Sequence, residues 1–129
     1  MYRWVDHTAE VELEIEAASE REVLEEAVRA LAELLGIEGS GDAVRTVSVG
    51  AGDRPALLAT WIEELVFLAE SEGFVATRLD DLDLQAGRLN ATVSGVLDAP
   101  PPLVKAVTYH RLEFAPRGDG YVARVILDV

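Results

Sequence analysis

The stretch VKAVTYHRLEFAPRGDGYVARVILDV, residues 104–129, decides how this chain folds. Two alternating runs, Ala106–Phe114 and Tyr121–Asp128, flank Pro116-Arg117-Gly118-Asp119-Gly120. Strand-like runs joined by a turn-rich pentapeptide read as a β-hairpin. Just upstream, Ala86-Gly87 joins Phe74–Leu84 to Arg88–Leu97 in the same way. The apolar phase of the first of these runs shifts near Asp80-Asp81, which predicts a bulge. Asp98 through Pro102 is a stiff proline loop between the hairpins. Four consecutive strands linked by hairpins make the sheet mostly antiparallel.

The first half of the chain is built differently. Val11, Leu13, Ile15 and Ala17 alternate with Glu10, Glu12, Glu14 and Glu16, so a half-buried strand with an acidic outer face is expected. Ser19 and Glu22 then form a capping box, and Val23, Leu24, Ala27, Leu31, Leu34 and Leu35 continue at helical spacing to a stop at Gly36. Residues 37–43 read as a loop and Val44–Val49 as a short strand. Asp53 and Pro55 open a second helix running to Ser71 and ending at Gly73. Its apolar residues, centred on Trp61, cover more than half its circumference, so it is expected to lie buried across a sheet. Strands and helices are segregated, which defines an α+β protein: two helices packed on a mostly antiparallel β-sheet, in a single domain spanning 1–129.

Composition narrows the function. The net charge is −13, from 24 acidic and 11 basic residues. Nucleic-acid binders gain affinity by neutralising phosphates with Lys and Arg. Direct high-affinity nucleic-acid binding is therefore not expected, whereas a basic protein surface or a hard cation suits this charge. The absence of cysteine excludes disulfides, zinc–thiolate sites and thiol nucleophiles. No apolar run approaches the ~20 residues of a membrane span. The opening residues lack a basic segment followed by an apolar one, so no secretory signal is expected and the cytoplasm is the expected compartment.

Common catalytic signatures are missing. There is no Gly-x-x-x-x-Gly-Lys-Ser/Thr loop, no Gly-x-Gly-x-x-Gly and no Gly-x-Ser-x-Gly elbow. Gly50-Ala51-Gly52 precedes a helix but lacks the third glycine. The two histidines, His7 and His110, are not at metal-ligand helix spacing.

What remains is a set of polar groups at the two ends of the chain. Glu10 opens the first amphipathic strand. Asp128 and the carboxylate of Val129 close the last. If those strands are neighbours, three carboxyl groups converge, a costly arrangement unless a cation joins them. By parity, however, Glu10 belongs to the exposed row with Glu12, Glu14 and Glu16. His110 shares parity with Thr108, Leu112 and Phe114 and reads as a hydrogen-bonded core imidazole. His7, beside Asp6, reads as a capping or ion-pair residue. Lys105 is the only lysine in a chain with ten arginines, and the two are not chemically interchangeable.

Asp6-His7-Thr8-Ala9-Glu10, the Trp61-centred helix, Val104-Lys105-Ala106-Val107-Thr108-Tyr109-His110 and the closing Val125-Ile126-Leu127-Asp128-Val129 together resemble the archease family, in order and over essentially the whole chain. Archeases assist the RtcB-type RNA ligase of tRNA splicing and RNA repair. The resemblance implies an activator, not an enzyme, which promotes guanylylation of the ligase's own histidine, allows multiple turnover and broadens its nucleotide use. It implies a divalent-cation site at Glu10, Asp128 and Val129, with calcium the expected ion and magnesium or manganese as alternatives. It implies an activating role for Lys105. The family's opening motif normally ends in Asp, and the longer Glu10 favours calcium over the geometrically stricter magnesium. Two other classes accommodate the same residues: a general chaperone or modulator of nucleic-acid-processing enzymes, and a small metal-dependent hydrolase.

Overall fold

The computed structural model describes residues 1–129. Nine elements follow one another: β1 (Tyr2–His7), β2 (Glu10–Ala17), α1 (Glu20–Leu34), β3 (Ala43–Gly50), α2 (Arg54–Glu72), β4 (Phe74–Leu84), β5 (Arg88–Leu97), β6 (Ala106–Arg117) and β7 (Gly120–Asp128). The seven strands form two sheets, ordered β1-β2-β7-β6 and β3-β5-β4, and every pairing is antiparallel. The expected class, α+β with two helices on antiparallel sheet, is the one observed. The sheet is divided in two, and β1 is a strand that the periodicity did not announce.

Local chemistry explains the helix boundaries. The Ser19 hydroxyl accepts from the Glu22 N–H at 3.1 Å, and Gly36 follows the last turn with φ of 79°. The Asp53 carboxylate accepts from the Ala56 N–H at 2.8 Å, and Gly73 ends α2 in the left-handed conformation at φ 66°. Both ends satisfy backbone groups that a helix otherwise leaves open. The β4–β5 register shifts between Ala76 and Arg78 and again between Leu79 and Asp81, where the apolar phase slips.

Both helices contact both sheets. Leu13 and Ile15 of β2, Val125 and Leu127 of β7, Val23 and Leu24 of α1, Trp61 and Ile62 of α2, and Leu89 and Val93 of β5 share one apolar cluster. Trp61 is fully buried, and its indole N–H donates to the Leu24 carbonyl at 3.3 Å, fastening α2 to α1. Truncating such a side chain to Ala costs ~3–5 kcal/mol. No helix is long and apolar enough to cross a membrane. The consequence for the site is topological: β2 and β7, from opposite ends of the chain, lie side by side in the middle of one sheet.

Candidate functional site

The β2–β7 register sets Glu10 directly opposite Asp128. Cross-strand partners project to the same side of a sheet. Here that side faces away from the core, because Val11, Leu13, Val125 and Leu127 take the inner positions. The Val129 N–H donates to the Ala9 carbonyl at 3.2 Å. Ala9 and Val129 thus form a hydrogen-bonded pair, and by alternation Glu10 and Asp128 form a non-hydrogen-bonded one, in which side chains stand closest. Ala9 itself sits at φ 59° in the β1–β2 turn, a conformation uncommon outside glycine. The turn therefore holds its carbonyl on Val129 at the cost of some backbone strain.

Lys105 reaches the same sheet end through its backbone. Its N–H donates to the Asp128 carbonyl at 2.8 Å, and Ala106 pairs with Asp128 as β6 begins. Its exposed side chain lines a different feature, a cavity of about 170 Å³ between the edge strand β6 and α2, with Glu63, Val66, Phe67 and Glu70 on the helix side. All four residues singled out from the sequence, Glu10, Lys105, Asp128 and Val129, therefore meet at one end of one sheet. The amine of Lys105 borders the α2 cavity, while Glu10 and Asp128 share the outer sheet face.

The neighbouring position on that outer face corrects the sequence reading. Glu12 was expected in an exposed acidic row; it is 3% exposed. Its parity is as expected, but side chains cover it. One carboxylate oxygen lies 3.3 Å from the His7 Nε2 and 3.5 Å from an Arg111 nitrogen, and the other lies 3.1 Å from the Arg124 Nε. The covering segment is irregular: the β6–β7 register breaks between Thr108 and Glu113, and Arg111 has φ of 58°. The same break corrects the expectation for His110, which is exposed instead of a core imidazole. Parity cannot be carried through a segment that leaves the ladder. His7 contacts Glu12 through its Nε2 at 3.3 Å.

Glu14, one step further along, is hydrogen-bonded by Arg3. That bond, the largest cause, holds its carboxyl below the usual carboxylate range against an opposing push from burial. The ion pairs on this face thus belong to Glu12, Glu14 and Glu113. Glu10 and Asp128 have no such partner and face each other across the ladder.

These donors suit a hard cation. Two facing carboxylates supply oxygen ligands, and calcium completes its shell with backbone carbonyls, a further carboxylate and water. No group of three or more His, Asp or Glu side chains converges anywhere in the chain. A cation held between Glu10 and Asp128 would have to take any third protein ligand from Val129 or from main chain.

Fold and site define a class: a small acidic α+β protein whose first and last long strands assemble a carboxylate-rich sheet end. Comparison with known proteins makes the class specific. The model of the "Archease protein family (MTH1598/TM1083)" matches residues 2–129. The archease of Methanosarcina barkeri is 30% identical over 140 residues, covering 99% of this chain and 95% of the relative. That of Pyrobaculum neutrophilum is 30% identical over 139 residues, with the same coverage. The solution structure of Methanobacterium thermoautotrophicum protein 1598 superposes with a TM-score of 0.76 at 27% identity, covering 99% of this chain and 98% of that one. The crystal structure of a Thermotoga maritima protein, described as "an archease, possible chaperone", gives 0.70 at 24% identity, covering 100% and 98%. This chain belongs to the archease family.

Proposed function

We propose that the chain is a protein activator of an RtcB-type RNA ligase, acting on the ligase's guanylylation step and restoring its multiple turnover. The observation that supports this most directly is the register of Glu10 against Asp128, with Lys105 bonded through its main chain to the same residue. In this reading Glu10, Asp128 and Val129 hold a divalent cation, calcium before magnesium or manganese. The cation supplies charge neutralisation beside nucleotide phosphates. The nucleotide-accepting histidine belongs to the ligase, so this chain contributes position and charge only. Transfers of phosphoryl type depend mainly on those two factors, which is how a partner without a nucleophile can accelerate them. The acidic surface steers the chain to the basic channel of the ligase and disfavours independent binding to RNA.

The test is RNA ligation by a cognate ligase, in single and multiple turnover, with and without the protein. Stimulation by the wild type, lost in Lys105→Ala and Asp128→Ala while both remain folded, is the expected result. Full stimulation by both variants refutes the site assignment, and no stimulation by the wild type refutes the function. The description of the Thermotoga relative as a possible chaperone favours one second reading, a general modulator of nucleic-acid-processing enzymes. Recovery of many such enzymes and no ligase in a pull-down supports that one.

A further inference from the structure

The amine of Lys105 opens onto a feature that the carboxylate end does not use. Phe67 is 56% exposed on α2, with Glu63 one turn before it and Glu70 one turn after. Residues at these spacings share a helix face. On the strand side the cavity is lined by Val104, Lys105, Ala106 and Val107, and just beyond them Tyr109, 56% exposed, donates its hydroxyl to Glu63 at 3.3 Å. Of the large apolar side chains that the chain exposes, Phe67 lines this cavity and Leu103, 40% exposed, lines the hollow that adjoins it. This second, smaller hollow under the proline loop shares Val66, Glu70 and Val104 with the first and lengthens it. Neither Glu63 nor Glu70 takes part in an ion pair, and the only cation on the rim is Lys105, at one end.

We infer that this groove is a docking site for a cationic amphipathic segment of the protein partner, with Phe67 as the anchor and Glu63 and Glu70 engaging flanking Lys or Arg side chains. The inference rests on the reading of the chain as a ligase activator and deepens it by naming the contact surface. Charge selects the occupant. A second copy of a chain with net charge −13 brings like charge to a carboxylate rim, and RNA brings phosphates to it. A basic protein segment satisfies both the rim and the apolar floor. Exposed aromatics within a partly desolvated patch are the residues on which binding energy concentrates. Docking there leaves Lys105 at the end of the bound segment, beside the carboxylate end of the sheet.

The experiment has two arms. In the first, affinity for the ligase is measured by titration calorimetry for the wild type, Phe67→Ala, Glu70→Lys and the control Val44→Ala, which trims an exposed apolar residue of β3. Phe67 is exposed and Ala is a good helix former, so folding is retained and is checked by thermal unfolding. Weakening of at least tenfold in the first two variants, with the control within twofold, is expected. Affinities within twofold in all three overturn the inference while leaving the activator reading intact. In the second arm, the ¹⁵N-labelled chain is titrated with a peptide alternating Lys-Arg and Leu-Phe, and separately with a single-stranded RNA. Peptide-induced shifts confined to residues 63–70 and 103–109 support the groove even if the wild type fails to bind the ligase, an outcome that sinks the activator reading alone. No shifts with the peptide, or equal shifts with the RNA, overturn the groove.

Discussion

Replacing Asp128 by Asn should stabilise the metal-free protein and abolish its response to calcium, two effects of opposite sign from one substitution. The side chains of a non-hydrogen-bonded pair have Cβ atoms ~4.5–5.5 Å apart. The carboxylates lie beyond the Cβ atoms and can splay further apart; two unit charges ~6 Å apart repel by ~0.7 kcal/mol in water and ~3 kcal/mol at an effective dielectric of 20. Glu10 and Asp128 are both half-buried, and their ion-pairing neighbours are engaged by Glu12 and Glu14. A value near the low end, about 1 kcal/mol, is appropriate for partly solvated groups. At ~2.1 cal/mol/K per residue, a chain of this length unfolds with an entropy that converts 1 kcal/mol into about 4 °C. In EDTA, Asp128→Asn should therefore melt about 4 °C above the wild type.

The proposed cation binding should reverse the order. At a hundredfold excess over Kd, a ligand specific for the folded state adds ~2.7 kcal/mol, or about 10 °C by the same conversion. The wild type should gain that increment in calcium, and Asp128→Asn should gain little. Differential scanning calorimetry in EDTA, then in millimolar calcium, magnesium and manganese, reads both effects. Lys105→Ala should respond to calcium like the wild type, since its tie to Asp128 is a main-chain bond that the substitution leaves in place. A wild-type melting temperature unmoved by all three ions, with no gain from Asp128→Asn in EDTA, refutes the reasoning, because the facing carboxylates would then neither repel nor bind.

Three further outcomes follow from the fold. Glu26 is pushed up by burial, but hydrogen bonds from Arg29 and the Met1 ammonium outweigh that and leave it below the usual carboxylate range. A depressed folded value means stability present above the unfolded pKa and lost as pH falls through the folded one; the deficit of Glu26→Gln relative to wild type, seen in urea melts at pH 7, should shrink steadily below about pH 4.5. Tyr2 is raised to about 12 by burial and by its hydrogen bond to Glu33, so stability should fall as pH climbs from about 10 towards that value, and Tyr2→Phe should flatten this alkaline limb. A Cβ added at Gly95 meets the Val75 carbonyl across the β4–β5 ladder; Gly95→Ala should cost ~3 kcal/mol or more by denaturant unfolding, and a loss under 1 kcal/mol would contradict the pairing.

How much of this was legible in the sequence depended on whether the signal was local. The alternation from Glu10 to Ala17, the Ser19 and Asp53 caps, and the slip at Asp80-Asp81 are all set by neighbours within a few residues, and each is where it was expected. The meeting of Glu10 with Asp128 is not local, yet the concentration of polar groups at both chain ends pointed to it. β1 went unread because Tyr2-Arg3-Trp4-Val5-Asp6-His7 has no clean period of two; it becomes a strand because β2 offers it an edge. The burial of Glu12 went unread because its cover comes from Arg111, 99 residues away, and from Arg124. The division into two sheets is a matter of which hairpin finds which neighbour, a long-range choice that composition and periodicity do not carry.

The irregular part of β6 ties the two candidate surfaces together. Before the break, Ala106, Val107 and Thr108 continue the ladder against Asp128, Leu127 and Ile126. Within it, Tyr109 turns to Glu63 on α2 while Arg111, in the left-handed region, turns back to Glu12 on the opposite face. A regular strand alternates its side chains on a fixed period and keeps every residue in register; the break releases both from that constraint. Left-handed backbone at a non-glycine residue carries a cost of order 1–3 kcal/mol and persists only where surrounding contacts enforce it. The contact that holds the Arg111 side chain is the buried carboxylate of Glu12, 3.5 Å from its guanidinium. Removing it by Glu12→Gln should therefore loosen residues 109–112, detectable as faster amide exchange there, and weaken partner docking at the groove without touching any groove residue. Unchanged exchange in that segment would show that the β6 backbone holds its shape independently, and that the outer face and the groove act separately.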